Sequence, residues 1–377
     1  MTTAPSLTVV IPTFNRLARL RQVLDGLAEQ DVDAPFEVVV VSDGSTDGTD
    51  EHLAGGATPV PVTWATQANG GPSSARNHGV DLASGDLILF IDDDVVPTPG
   101  LVRRHLEAHA EHGAWTVVIG PMRDPPDHHM SPWIRWEQAM LAKQYDAMES
   151  GEYEATPRQF YTGNASLLRR HLVAVGGFDT AFRRAEDVEL AHRLSERGLR
   201  FTFVPDAVGL HYAERSSESW LGSAHAYGRN DVVFGRDRGQ PAVLARVAAD
   251  FRTRHALVRA LTRACAQRPR SAAMVTQVLL RFVGIASHLW VPGLARLSLS
   301  GAYNLAYYLG VADELGGPAE LRRLLGWRSA RQGARAPVSA AEPRPPATEL
   351  LERGRPEEDR REAVDDSADD DAREQRH

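Results

Sequence analysis

The sequence predicts an α/β protein built on a doubly wound, mostly parallel sheet, and two observations support this. Short β-branched runs alternate with stretches of helical periodicity, the pattern of strands joined by crossover helices. Three of those runs end in polar clusters, at Thr13–Asn15, Ser42–Asp47 and Asp92–Asp94, where such sheets hold their ligands. The only cysteine, Cys265, excludes an internal disulfide and fits a reducing compartment.

In order, Leu7-Thr8-Val9-Val10-Ile11 reads as a first buried strand, followed by Pro12-Thr13-Phe14-Asn15-Arg16. Leu20, Val23, Leu24 and Leu27 then recur at helical spacing. Phe36 to Val41 is a second strand, ending in Ser42-Asp43-Gly44-Ser45-Thr46-Asp47-Gly48-Thr49. Val60 to Ala65 can form a third. Gly70-Gly71-Pro72 leads into a helix expected to open with caps from Ser73 and Ser74.

Leu87-Ile88-Leu89-Phe90-Ile91 is an apolar strand that ends abruptly in Asp92-Asp93-Asp94. Three carboxylates cannot be buried together without cost, so they emerge hydrated or neutralised by a cation. Continued extended geometry would point Asp92 and Asp94 to one side and Asp93 to the other. Two hard oxygen donors at a strand's carboxyl end suit Mg²⁺ or Mn²⁺ carrying a phosphorylated ligand. An acidic turn before Pro97 and Pro99 is the structural alternative.

The chain has 377 residues and 42% hydrophobic content, enough for one large domain or a core domain with an appendage. The net charge of -8 owes much to an acidic C-terminal stretch, and no strongly basic run argues for nucleic acid. Met1–Ser6 lack the basic and apolar regions of a signal peptide. Between Met274 and Val311 the chain is fairly apolar, but Arg281, His288, Pro292 and Arg296 interrupt it, so a spanning helix is not expected. No Gly-x-Gly-x-x-Gly follows the first strand and no Walker-type Gly-Lys-Ser/Thr occurs, which argues against dinucleotide-binding and P-loop proteins.

Four motifs in order, Val9–Arg16, Ser42–Thr49, Ala75-Arg76-Asn77-His78-Gly79 and Asp92–Asp94, resemble successive signatures of the family 2 glycosyltransferases of the GT-A fold. The similarity continues through Gly176-Gly177-Phe178-Asp179 and Glu186-Asp187, covering roughly Leu7 to Tyr212.

The resemblance implies roles residue by residue. Pro12 and Asp43 would meet the nucleotide, the Asp43 carboxylate accepting an imide N–H of uracil or thymine. An Asx-turn is its structural alternative, and Asp47 reads as turn or cap material. Arg76 would offer its guanidinium fork to a diphosphate. Asp92 resembles the residue that contacts ribose or metal and Asp94 the one that ligates the metal, with Asp93 nearer the sugar. Asn164, in Gly163-Asn164-Ala165-Ser166, would contact a donor hydroxyl. The family places its general base in the Glu-Asp pair, which makes Asp187 the base and Glu186 its partner. Both would sit in a helix's first turn, where acids are also common without catalysis. His211 matches a histidine that completes the metal site in some such enzymes; packing alone is its alternative.

The implied domains are a catalytic unit at 1–215, a helical region at 216–328 and a disordered charged tail at 329–377. Trp133 and Trp136, between Pro121 and Phe160, belong either to a lid over the acceptor or to the core. The arginine-rich helices after Ser216 suit contact with a membrane surface, the catalytic domain or a second subunit. The expected activity is inverting transfer from a UDP- or dTDP-sugar, with Mn²⁺ or Mg²⁺, to a glycan, lipid-linked or small-molecule acceptor. The place would be the cytoplasm or the cytoplasmic face of a membrane. The rival readings are a non-catalytic nucleotide-sugar-binding or scaffold protein and a sugar-nucleotide pyrophosphorylase. The latter would carry a glycine-rich, lysine-containing loop where Pro12–Arg16 stands.

Overall fold

A computed structural model describes residues 6–182, 184–266, 268–288 and 292–327, and these form one compact unit. The 329–377 segment, expected to be a disordered tail, lies outside the described residues.

The first half is the alternating α/β unit the sequence predicts. Strands β1 (Leu7–Thr13), β2 (Phe36–Ser42), β3 (Thr63–Thr66) and β4 (Leu87–Ile91) pair in parallel. They are joined through α1 (Leu17–Ala28), α2 (Thr49–Ala54) and α3 (Pro72–Leu82). β3 begins three residues later than expected. α3 also differs from expectation: Gly71 occupies the N-cap position without a side-chain cap, and Pro72 opens the helix. The Ser73 hydroxyl instead donates to Phe182 O (3.0 Å), and that of Ser74 accepts from Gln67 Nε2 (3.0 Å).

After β4 come a short strand β5 (Val95–Pro97), α4 (Leu101–His112), β6 (Thr116–Ile119), β7 (Met122–Arg123), α5 (Pro132–Glu149), β8 (Asn164–Leu168) and α6 (Arg169–Ala174). Then follow α7 (Glu186–Glu196), β9 (Arg200–Phe203) and β10 (Gly209–His211). The main sheet runs β3-β2-β1-β4-β8-β6-β9, with β8 antiparallel to both neighbours. Every residue of β4 is buried, because helices cover both faces.

A second sheet, β5-β10-β7, stands beyond the end of β4. Its register sets His211 opposite Val95, the residue after the acidic triplet. This small sheet therefore carries a histidine from late in the chain to the strand-end acids.

The C-terminal helices are α8 (Ser217–Asp237), α9 (Pro241–Thr253), α10 (Ala256–Cys265), α11 (Pro269–His288), α12 (Pro292–Leu315) and α13 (Pro318–Leu324). α8 and α12 approach so closely that a Cβ on Gly228 would meet Tyr307 O at 2.0 Å, and one on Gly310 would meet His225 O at 1.9 Å. Glycine is required at both positions.

Candidate active site

The loops after β1 and β2 are tied together. Asn15, in the left-handed region at φ 53°, accepts from Thr46 N–H (2.7 Å). Asp47 accepts from Leu17 N–H (2.9 Å) and Thr49 Oγ1 (2.6 Å), the turn role expected of it. Asp43 is buried: Oδ1 accepts from Gln67 Nε2 and Gly70 N–H, and Oδ2 from Gly71 N–H, each at 2.8 Å. Its structural role is thus substantial, while Oδ2 retains a lone pair for a further donor. Pro12 is half-buried beside it, in register with Val41.

The acidic triplet does not continue the strand. Val95 N–H donates to Asp92 O (3.0 Å), closing a turn that overturns the expected alternation of side chains. Asp93 and Asp94 converge on Arg16, which pairs with Asp93 Oδ1 at 3.3 Å and more closely with Asp94 Oδ2. Asp93 also accepts from Thr13 Oγ1 (2.8 Å). Burial pushes the Asp93 carboxyl up to about 7, with Arg16 offsetting only part and Asp94 adding to the rise. Burial also opposes the charge on Asp94, but His211 and Arg16 outweigh it and hold that carboxyl below the ordinary aspartate range.

His211 Nε2 stands 3.7 Å from Asp94 Oδ1, and its Nδ1 is 2.7 Å from Gln138 Nε2 on α5. A carboxylate and an imidazole this close could hold a divalent cation whose remaining ligands would come from phosphate and water. Asp92, expected as another ligand, pairs through Oδ1 with Arg76 Nη2 at 2.7 Å. Among the described residues no group of three or more His, Cys, Asp or Glu is gathered to hold a metal. The donor set that fits is Asp94 with His211.

Arg76 is the hub of the site. Buried on α3 and only 5.7 Å from the Phe178 ring, it joins Asp92 to Glu186 Oε1 (2.9 Å). Both ends of its fork are thereby engaged, so it bridges two acids where the sequence suggested a diphosphate contact. Glu186 and Asp187 open α7 as expected, preceded by Ala185 at φ 56°. A non-glycine residue in that region stores backbone strain directly beside the two acids.

Asp187 accepts from Val188 N–H (2.8 Å) and keeps some surface open while lying deep among protein atoms. Burial, then the neighbouring Glu186, pushes its carboxyl up to about 7 against the pull of Arg76. Tyr161 and Tyr227 feel its charge. Burial and then Asp187 raise the Tyr161 phenol to about 12, and Tyr227 is raised for the same reasons. Such surroundings leave Asp187 ready to take a proton near neutral pH.

Asn164 corrects an expectation. Fully buried, it accepts from His105 Nε2 (2.9 Å) and donates to Pro121 O (3.0 Å) and Ala207 O (2.7 Å). Enclosed in this way, it ties α4 to the segments at Pro121 and Ala207 and has no surface left for a sugar hydroxyl. Trp133 and Trp136 pack in the helical core, Trp136 edge-on to Trp220 at 5.8 Å. A surface cavity of about 510 Å³ lined by Leu27, Phe36 and Val60 opens near the start of β2, away from these acids. Arg16 and Gln138 have no local sequence signal, because their roles arise only from the tertiary contacts with Asp94 and His211.

Residues 8–184 match the family model described as Glycosyl transferase family 2. The chain is 32% identical over 249 residues to validoxylamine A glucosyltransferase of Streptomyces hygroscopicus subsp. jinggangensis, with 58% of each chain covered. It is 27% identical over 244 residues to the hyaluronan synthase of Pasteurella multocida, with 56% of this chain and 25% of the relative covered. The chain thus spans 58% of the former relative's length and 25% of the latter's. Among solved structures, it is similar to the mannosyltransferase PcManGT from Pyrobaculum calidifontis, described in complex with GDP-Man and Mn²⁺. That match has a TM-score of 0.52 and 22% identity over 80% of this chain and 86% of the other. S. aureus TarS matches with a TM-score of 0.50 and 18% identity, over 82% and 92%. These likenesses show the GT-A fold.

Proposed function

Residues 8–184 belong to the family 2 glycosyltransferases, and from that premise we propose that the chain moves a sugar from a nucleotide-diphosphate donor to an acceptor hydroxyl, with inversion. The observation that carries this reading is Arg76, whose two ion pairs join Asp92 at the end of β4 to Glu186 beside Asp187. Strand-end acids suited to a donor and a base suited to an acceptor thus share one frame.

Asp187 takes the proton from the acceptor hydroxyl as that oxygen attacks the anomeric carbon opposite the departing diphosphate. Its raised affinity for protons makes it a stronger base than an ordinary aspartate. A single displacement inverts the configuration without a covalent intermediate. Glu186, fixed by Arg76, orients the base and acceptor, and Tyr161 and Tyr227 border the acceptor side. Asp43 and Pro12 meet the nucleotide, and Asp93 lies toward the donor sugar. Mn²⁺ or Mg²⁺, held by Asp94 and His211, would supply charge to the diphosphate leaving group.

The donor is a UDP- or dTDP-sugar in this reading, from the carboxylate at Asp43. The fold neighbour described with GDP-Man and Mn²⁺ supports a divalent metal and keeps guanine among the nucleotides to test. The acceptor is a glycan, a lipid-linked glycan or a small molecule. The division at 1–215 and 216–328, a cytoplasmic setting and self-association remain parts of the proposal.

Calorimetric titration with UDP, dTDP, GDP and CDP, with Mn²⁺ and with EDTA, tests the reading. Metal-dependent preference for one diphosphate is expected, followed by turnover of the matching sugar donor that Asp187→Asn removes. Folded protein that binds none of the four would overturn it. Binding without turnover across an acceptor panel, unchanged by Asp187→Asn, would mark a non-catalytic nucleotide-sugar binder.

A further inference from the structure

α11 carries apolar side chains beyond the face it packs. Ala272, Val275, Leu279 and Val283 turn inward to the helical core. Met274, Val278 and Phe282, spaced four apart and therefore on one stripe, are 65%, 57% and 40% exposed. Leu257 at the start of α10 and Leu294 near the start of α12 are also exposed. A helix whose apolar surface continues past its packed face calls for another apolar medium.

The charge of the same segment is one-sided. Between Asp250 and Asp313 there are eight arginines and no acid, a formal +8 in a chain whose total is -8. Arg252, Arg254, Arg263, Arg268 and Arg281 are exposed. A second copy meeting this patch about a two-fold axis would set arginines against arginines, which disfavours it. Anionic headgroups match the charge, and the acyl boundary beneath them matches the apolar stripe. Among the described residues no helix is long and apolar enough to cross a membrane, so contact would be with its surface.

We propose that the α10–α11 surface, anchored by Met274, Val278 and Phe282 and flanked by arginines, seats the protein on an anionic lipid surface. This goes beyond glycosyl transfer and does not depend on it, since donor binding and vesicle binding are separate measurements.

Cosedimentation of the full chain with phosphatidylcholine vesicles, with and without phosphatidylglycerol, tests the surface. Binding to the anionic vesicles should exceed binding to neutral ones by about tenfold or more and fall at high salt. Replacing Met274, Val278 and Phe282 together by Ser should lower it by about tenfold or more, with the thermal melt retained. If that variant fails to fold, Arg268→Gln with Arg281→Gln should still give a several-fold loss at low salt. No wild-type binding, or binding unaffected by the folded variants, overturns the proposal. A wild-type dimer that the Ser variant splits, seen by light scattering, also overturns it and assigns the stripe to a second copy.

Discussion

His211 Nε2 stands 3.7 Å from Asp94 Oδ1, held there by the antiparallel register of β10 with β5. The contact carries a prediction about Gln138, whose Nε2 is 2.7 Å from His211 Nδ1. With the amide donating to Nδ1, the neutral ring carries its proton on Nε2, facing Asp94. Metal ligation through Nε2 needs the reverse: a proton on Nδ1 and an acceptor beside it. Gln138→Glu offers only an acceptor at neutral pH and should preserve or tighten Mn²⁺ binding. Gln138→Leu should weaken it by about tenfold, and Asp94→Ala should remove most of it. Calorimetric Mn²⁺ titration in the presence of UDP reads all three; equal affinities for the Glu and Leu variants would exclude an orienting role.

Arg76 separates structural from ligand-binding roles. Its buried guanidinium neutralises Asp92 and Glu186 together. Arg76→Ala leaves those carboxylates without their partner and should cost about 3–5 kcal/mol in urea unfolding. Arg76→Lys keeps the charge but loses the planar fork, so an intermediate loss is expected. A full-stability Ala variant with weakened diphosphate binding would return Arg76 to the phosphate role its motif suggested.

The strands and the acids were readable because each depends on local pattern. Leu87–Ile91 is apolar at every position, and Asp92–Asp94 marks its end without ambiguity. The turn at Asp92 was not readable, since alternation assumes an extended chain and one hydrogen bond to Val95 ends it. Arg16 and Gln138 act across 78 and 73 residues of sequence, and no periodicity encodes such meetings. Asn164 had a suggestive motif, but its burial beside His105 depends on where α4 packs.

Asp43 supports the loop before α3 through three accepted hydrogen bonds, so its substitution has two separable effects. Asp43→Asn places an amide donor against these N–H groups and should destabilise by about 1–3 kcal/mol. If the remaining lone pair on Oδ2 reads an imide N–H, UDP affinity should fall more than CDP affinity in the same variant. Parallel losses for both would limit Asp43 to the turn.

Ala185 pays a left-handed backbone cost immediately before Glu186 and Asp187. Ala185→Gly removes the Cβ that makes this conformation strained, which should stabilise the fold by up to about 1 kcal/mol. The same change loosens the segment that aims Asp187, so kcat should fall while donor affinity holds. Urea unfolding and steady-state kinetics check the two halves; a gain in stability with unchanged kcat would show that the strain does not position the base.

Asp187 gives the last prediction a characteristic pH signature. Its proton affinity rises to about 7 in the folded chain, against an ordinary value near 3.8, chiefly through burial and then Glu186. Below the ordinary value the carboxyl is protonated in both states and contributes no difference. Between about 4 and 7 the folded chain binds more protons than the unfolded one, so stability falls as pH rises; above 7 the penalty is complete. Asp187→Asn removes that penalty and should melt above wild type at pH 8, by an amount worth about 1–4 kcal/mol. The advantage should shrink steadily as pH falls toward 4. Activity moves the other way, because only the ionised carboxylate can accept a proton: wild-type kcat/KM should climb through pH 7 and level off above it. The Asn variant should lose about a hundredfold or more of kcat while donor binding persists. A melting advantage independent of pH, or an activity profile flat from pH 5 to 9, would leave Asp187 without the role assigned to it.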